Sequence, residues 1–222
     1  MMIAYPPAGI VSELDESHVL SIVVENQTLF RSIICDIHEQ INGSSGAFVL
    51  SENFTPLDIR KNVDLITSFI PFEINQKEII NKLYIVLKNK AVDGENFQRT
   101  QELYSYISKY LFELSAASDD DLIFDYPDDI NGILKAFNVR LNDREMTLPE
   151  KIMEYMLISE KLKRTKVFVT VNMRSFISDK KIEQLFKSIV LHKINLICIE
   201  NKEYPRLDTE KVIIIDEDMC VI

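Results

Sequence analysis

The chain reads as an α/β protein whose two ends build a mainly parallel sheet, with a helical domain between them. Three patterns carry that reading. HVLSIVVEN holds a nearly continuous β-branched run from Val19 to Glu25, followed at once by Asn26, a good helix cap, and by Leu29, Ile33, Ile37 and Ile41 at helical spacing. INLICIE (Ile194 to Glu200) is apolar on both faces, as strands of a parallel sheet covered by helices are. The middle of the chain shows only long apolar stripes of 3.6-residue period.

Taken in order, NGSSG (Asn42 to Gly46) breaks the first helix, and AFVLS (Ala47 to Ser51) predicts a strand that completes a β-α-β unit. Asn75 opens a helix with Glu78 placed to complete a capping box, and Ile79, Ile80, Leu83, Val86 and Leu87 form its stripe. KAVDGEN turns the chain into a second helix carrying Phe97, Leu103, Tyr104, Ile107, Tyr110, Leu111 and Leu114, so an antiparallel hairpin is expected. Thr147, Pro149 and Glu150 mark the start of a third helix that runs through Ile152, Met153, Tyr155, Met156 and Leu157 towards Lys163. KVFVTV (Lys166 to Val171) is a strand, and Ser178 caps a helix with Ile182, Leu185, Phe186 and Ile189 on one face. KVIIID (Lys211 to Asp216) and the terminal CVI supply short last strands. The expected division is a head domain from residues 1–70 and 165–222 and a helical domain from 71–164.

With 222 residues, 46% of them hydrophobic, and only 5 Gly and 7 Pro, the chain has material for one large or two small packed domains. No apolar run is long enough to cross a bilayer, and MMIAYPPAG lacks the basic flank and apolar core of a signal peptide, so a cytoplasmic location is expected. Cys35, Cys198 and Cys220 show no CxxC or Cys/His spacing and read as small buried hydrophobes. His18, His38 and His192 have no partner in the sequence that would make them catalytic. The strand VLSIVVE runs into NQTLFRS where a phosphate-binding loop would need GxxxxGK[ST], so nucleotide hydrolysis is not expected. GxSxG and HExxH are missing too. A two-metal nuclease would draw on carboxylates at strand ends, and Glu25, Glu200, Asp216 and Asp218 hold such positions. The simpler expectation for them is solvated strand termini.

The densest charge lies in the helical middle. DDDLIFDYPDD puts Asp119, Asp120, Asp121, Asp125, Asp128 and Asp129 into eleven positions without a Lys or Arg. Two carboxylates about 5 Å apart repel by roughly 3 kcal/mol at an effective dielectric near 20, so the run needs a cation or open water. Calcium fits the ligand type, because it takes six to eight oxygens in a forgiving geometry. The spacing is not that of an EF-hand, and a solvated acidic loop remains the alternative.

VLSIVVENQTLF, AFVLSENFTPLDIRKNVDLI, DDINGILKAFNVRL and the closing IIIDEDMCVI, in that order, resemble the Csn-two family of type II-A CRISPR-associated adaptation proteins over the whole chain. The resemblance implies a non-enzymatic protein with a P-loop-NTPase-like α/β head, a mainly parallel sheet and no Walker A motif, plus a protruding helical domain. It also implies a calcium-dependent homotetrameric ring that binds the ends of linear double-stranded DNA in its hole. Its role would be acquisition of new spacers with the integrase proteins and the effector nuclease of the same locus.

An acidic protein, net charge -10, must segregate positive charge to bind DNA. Between Lys135 and Lys166 eight basic residues face five acidic ones, and Lys135, Arg140, Arg144, Lys151, Lys161, Lys163 and Arg164 are the candidate phosphate contacts. The remaining function classes are a metal-dependent nuclease and a degenerate P-loop scaffold that binds only proteins.

Overall fold

A computed structural model describes every residue except Asp121, Tyr126 and Asp128. Along the chain lie β1 (Met2–Tyr5), β2 (Ile10–Glu13), β3 (Val19–Val24), α1 (Gln27–Ile41), β4 (Val49–Glu52), β5 (Thr55–Pro56), α2 (Ile59–Asn62) and β6 (Val63–Ile66). Then come α3 (Lys77–Ala91), α4 (Gly94–Ala116), α5 (Asn131–Ala136), α6 (Leu148–Lys163), β7 (Val167–Val171), α7 (Asp179–Leu191), β8 (Asn195–Glu200) and β9 (Glu210–Ile215). They fall into two compact units, Met1–Ile74 with Asp143–Ile222, and Asn75–Asn142.

In the first unit a five-stranded sheet runs β6-β7-β8-β3-β9, every neighbouring pair parallel. β3 lies at Ile22↔Ile199 on β8 and Ile22↔Ile213 on β9, and all six of its residues are buried. Leu20, Ile22 and Val24 join Ile33 and Ile37 of α1 in the main core cluster. α7 also meets β3 and buries Ile182, Leu185, Phe186 and Ile189 outside that cluster, so both faces of the strand are covered. Each fully buried aliphatic side chain contributes about 1.5–3 kcal/mol, which makes this sheet the stable part of the unit.

A second sheet, β2-β1-β4-β5, is antiparallel throughout. Here the structure corrects the β-α-β reading of Ala47 to Ser51: β4 pairs with β1 through Ile3↔Leu50, not with β3. Its burial explains why. Only Leu50 of β4 is buried, the one-sided pattern of an antiparallel strand, whereas the partner of β7 at the sheet edge is β6, a short VDLI segment with little sequence signal. The terminal CVI makes a single bridge, Ile215↔Val221, instead of a strand.

α6 also belongs to the first unit and not with the helical middle. It packs on α7 and buries Ile152, Tyr155, Met156 and Ser159, which moves the boundary from 164/165 to 142/143. Its start follows the sequence signal: the Glu150 carboxylate accepts the Thr147 N–H at 2.7 Å in a capping box, with Pro in the first turn.

The second unit contains the expected hairpin of α3 and α4, with α5 against α3. α3 begins one residue later than the Asn75 box predicts, at cap residue Gln76. Asn75 is used otherwise: its amide accepts the Leu141 N–H at 2.9 Å and donates to the Leu141 carbonyl at 3.1 Å, closing the two ends of the unit. Tyr84 is buried and donates its hydroxyl to the Leu134 carbonyl of α5 at 3.2 Å. Among the described residues no helix is long and apolar enough to cross a membrane.

Candidate functional site

Ligands of open parallel sheets bind beyond the carboxyl ends of the strands, so the turn from β3 to α1 is the first place to look. The helix start is already occupied there. Asn26 accepts the Leu29 N–H at 3.0 Å through its side-chain oxygen, and its amide donates at 2.9 Å to the Glu217 carbonyl beyond β9. A phosphate at this helix terminus would compete with a cap built from the chain itself, and no lysine follows to neutralise it.

Alongside β3 itself lies a buried charge cluster that the sequence did not announce. Arg174, in the turn after β7, is 5% exposed and donates from Nη1 to both oxygens of Glu210, at 3.0 and 3.2 Å. Its Nη2 reaches the Pro205 carbonyl at 2.9 Å, and its guanidinium lies 4.6 Å from the Tyr204 ring centre. Ser21 of β3 donates its hydroxyl to Glu210 as well. Glu200, at the end of β8, is 1% exposed, so the expectation of a solvated strand terminus fails for it. One of its oxygens accepts the Arg174 backbone N–H at 3.1 Å; the other is buried without a hydrogen-bond partner among the described residues. Burial dominates its titration and pushes the carboxyl up to about 7, against the pull of the Arg174 backbone N–H and guanidinium. Such a group holds charge and proton inside the head; it does not reach out to a substrate. Glu25 and Asp218 stay exposed, and among the described residues no three His, Cys, Asp or Glu side chains gather as a metal site.

In the acidic segment, Asp119, Asp120 and Asp125 are exposed. Asp129 is committed locally: its carboxylate pairs with Lys88 at 2.8 Å and accepts the Asn131 backbone and side-chain N–H at 2.8 and 3.0 Å. The hydrogen bond from Lys88 leads in holding its carboxyl below the usual range. Asp121 and Asp128 lie outside the described residues. The described carboxylates have the oxygen chemistry calcium needs, but one chain does not bring them together into a ligand set.

The basic window splits between the units. Lys135 and Arg140 are exposed in the second; Arg144, Lys161 and Arg164 are exposed in the first. Lys151 faces Asp143 at 4.0 Å. Lys163 is drawn inward to Asp64 at 2.7 Å, where the Tyr155 hydroxyl donates to the same carboxylate oxygen at 2.8 Å. That lysine is a structural residue of the head. Lys163→Ala is therefore expected to cost about 1–3 kcal/mol in urea unfolding, because it leaves a mostly buried carboxylate with the hydroxyl alone; an unchanged midpoint would show the pair to be idle. A cleft of about 580 Å³ between α6 and α7 carries Arg144 and Lys181 beside Glu145, Glu150 and Glu154, a mixed lining that does not single out an anion. Of the cysteines only Cys198 is buried; Cys35 is half-buried and Cys220 exposed, against the expectation of three buried thiols.

A family model described as "CRISPR-associated protein (Cas_Csn2)" matches residues 20–219. The chain belongs to this family. Among solved structures, the Cas_Csn2 chain is similar to cbiO1 from Clostridium perfringens, part of the ABC transporter complex cbiONQ, with a TM-score of 0.51, 12% identity, and coverage of 96% of this chain and 79% of that one. A putative ABC transporter ATP-binding protein from Pyrococcus furiosus matches at TM-score 0.40 and 12% identity over 92% of this chain and 88% of that one. At such identity the cbiO1 likeness speaks to the fold alone: the head is an α/β unit of the P-loop ATPase kind.

In this Cas_Csn2 chain the four motifs of the resemblance have structural work. VLSIVVENQTLF is β3 with the Asn26 cap, and AFVLSENFTPLDIRKNVDLI supplies β4, β5, α2 and β6. DDINGILKAFNVRL contains α5 and ends on the Leu141 that Asn75 holds. IIIDEDMCVI closes β9, where the Asp216 side chain accepts the Cys220 N–H at 2.8 Å.

Proposed function

We propose that this Cas_Csn2 chain is a non-enzymatic, sequence-nonspecific binder of linear double-stranded DNA ends. It acts in the cytoplasm as a calcium-dependent homotetrameric ring during acquisition of new spacers, with the integrase proteins and the effector nuclease of its locus as partners. The observation that carries the reading is the β3–α1 turn. There Asn26 caps α1 at the place where a P-loop would bind phosphate, which supports binding rather than nucleotide hydrolysis as the work of this CRISPR-associated protein. Exposed Lys135, Arg140, Arg144, Lys161 and Arg164 offer phosphate contacts, and ring symmetry would multiply each of them. The carboxylate density of Asp119, Asp120 and Asp125 supports calcium dependence at the level of the assembly.

Binding of a labelled linear duplex and its relaxed circular form, across a salt series with calcium or chelator, tests the reading. Linear DNA is expected to bind and the circle not, since a closed ring threads only onto an end. Lys161→Ala with Arg164→Ala should reduce the slope of log affinity against log salt by about 0.9 for every phosphate left without its cation. Chelation should shrink the assembly in light scattering. Equal affinity for the circle would defeat threading, and an assembly indifferent to chelation in metal-free protein would defeat the calcium role. Nicks that vanish in Glu25→Gln would favour the nuclease, and absence of any DNA binding would favour a protein scaffold.

A further inference from the structure

β8 and β9 lie on either side of β3 and both run parallel to it, so the chain between them must return past β3 before β9 can start. Such a crossover takes about a dozen residues or more, most often a helix. Here residues 201–209 do it, without helix or strand. Its backbone groups have no ladder to join, and what holds it down is a short set of side chains.

The two ends are pinned to the sheet. The Asn201 N–H donates to the Asn172 side-chain oxygen at 3.0 Å, and the Thr209 carbonyl accepts the Val19 N–H at 2.8 Å. The centre rests on the turn after β7: Arg174 holds the Pro205 carbonyl at 2.9 Å and the Tyr204 ring at 4.6 Å, and the Ser175 and Tyr204 hydroxyls lie 3.0 Å apart. Beneath it, between Ser21 and Val212 of the sheet and Tyr204 and Arg206 of the loop, is a cavity of about 10 Å³ bordered by Glu200 and Arg174. Two buried atoms of these last residues, Glu200 Oε2 and Arg174 Nε, have no hydrogen-bond partner among the described residues.

The charges balance only while Glu200 keeps its proton. One buried guanidinium then faces one buried carboxylate, Glu210. Ionised Glu200 adds a second carboxylate with an oxygen out of water. The other charged groups around it offer no buried cation: Asp179 at the start of α7 lies 4.0 Å from Arg174 and is exposed, Lys202, Glu203 and Arg206 of the loop are exposed, and burial keeps the Cys198 thiol neutral on β8. Arg174 is the group within reach. Turning it towards Glu200 takes it from the Pro205 carbonyl and the Tyr204 ring, and these neutral contacts give way because hydrogen bonds between charged groups are about twice as strong.

We propose that residues 201–209 form a proton-held strap over the head sheet: protonated Glu200 leaves Arg174 free to grip Pro205 and Tyr204, and ionised Glu200 draws the guanidinium away and releases the centre of the strap while Asn201 and Thr209 keep its ends. Burial raises the Glu200 carboxyl to about 7, which puts the release close to neutral pH. The strap lies wholly within the α/β unit, and neither DNA nor assembly has a part in it.

Trypsin reads the strap directly, since Lys202 and Arg206 both lie in it. The rate of cleavage after Arg206 is divided by that of a free peptide of residues 199–211 at the same pH, which removes the protease's own pH dependence. Lys187 in α7, treated the same way with its own peptide, reports unfolding of the whole head. From about pH 6.5 to about pH 8 the Arg206 ratio is expected to rise about tenfold in the wild type, since each pH unit above the titration favours the open form by about that factor, and the Lys187 ratio to stay level. Glu200→Gln, which cannot ionise, should keep the Arg206 ratio low at both values. A wild-type ratio that does not change with pH, an equal rise in Glu200→Gln, or a Lys187 ratio that climbs in step with Arg206 would each overturn the strap, the last by showing that the head opens as a whole.

Discussion

Arg174→Met is expected to lower the stability of the α/β unit by about 3–5 kcal/mol, read as a shift of the urea midpoint with unchanged slope. The guanidinium is the partner of Glu210, whose side chain is only 1% exposed, and it also satisfies the Pro205 carbonyl. Methionine fills most of the volume and removes the charge. Glu210 then keeps only the Ser21 hydroxyl and the Leu207 N–H at 3.2 Å, too little for a carboxylate out of water. A typical domain has about 5–15 kcal/mol in all, so the variant should sit near the edge of folding.

The double variant Arg174→Met with Glu210→Gln separates charge from shape. With the Glu210 charge removed along with its partner, it should recover much of the loss, because a buried ion pair is worth little beyond the cost of breaking it. If single and double variants lose equally, packing of Arg174 on Tyr204 carries the effect and the ion pair does not.

The head was legible where one period dominated. β3, β8 and α7 were readable because their burial is complete along a strand or regular along a helix. β6 and β1 were not, since four residues carry too little pattern and their place is decided by partners distant in sequence. The strand at β4 was visible but its partner was not, because pairing is a property of the fold and not of the segment. The same limit governed charge. Lys163 and Arg164 are neighbours in one basic run, yet one turns in to Asp64 and the other stays exposed, a difference set by a carboxylate 99 positions away in sequence. Glu200 looked like any polar strand end; it lines a small cavity with Ser21, Val23 and Arg174, residues distant in sequence that no local window contains.

Glu200 should also write a distinct signature into the pH dependence of stability. Its carboxyl is pushed up to about 7 in the folded head from an ordinary value of 4.5. Between those values the folded state holds a proton that the unfolded chain has lost. Its contribution is therefore fully present below about pH 4.5, declines as pH rises, and is gone above about pH 7. The size is up to roughly 3 kcal/mol, since each tenfold change in proton affinity is worth about 1.36 kcal/mol. Arg174 favours the ionised form and Glu210 the protonated one; Lys202 nearby pulls with Arg174. Asp15, held down to about 2 chiefly by the Ser17 hydroxyl, acts with the opposite sign and only at the acid end. Glu200→Gln keeps an oxygen for the Arg174 N–H and has nothing to ionise. It should match the wild type in urea at pH 5 and exceed it by up to roughly 3 kcal/mol at about pH 8. An equal fall in stability from about pH 5 to pH 8 in both proteins would place the titration elsewhere and return Glu200 to the role of an inert buried acceptor.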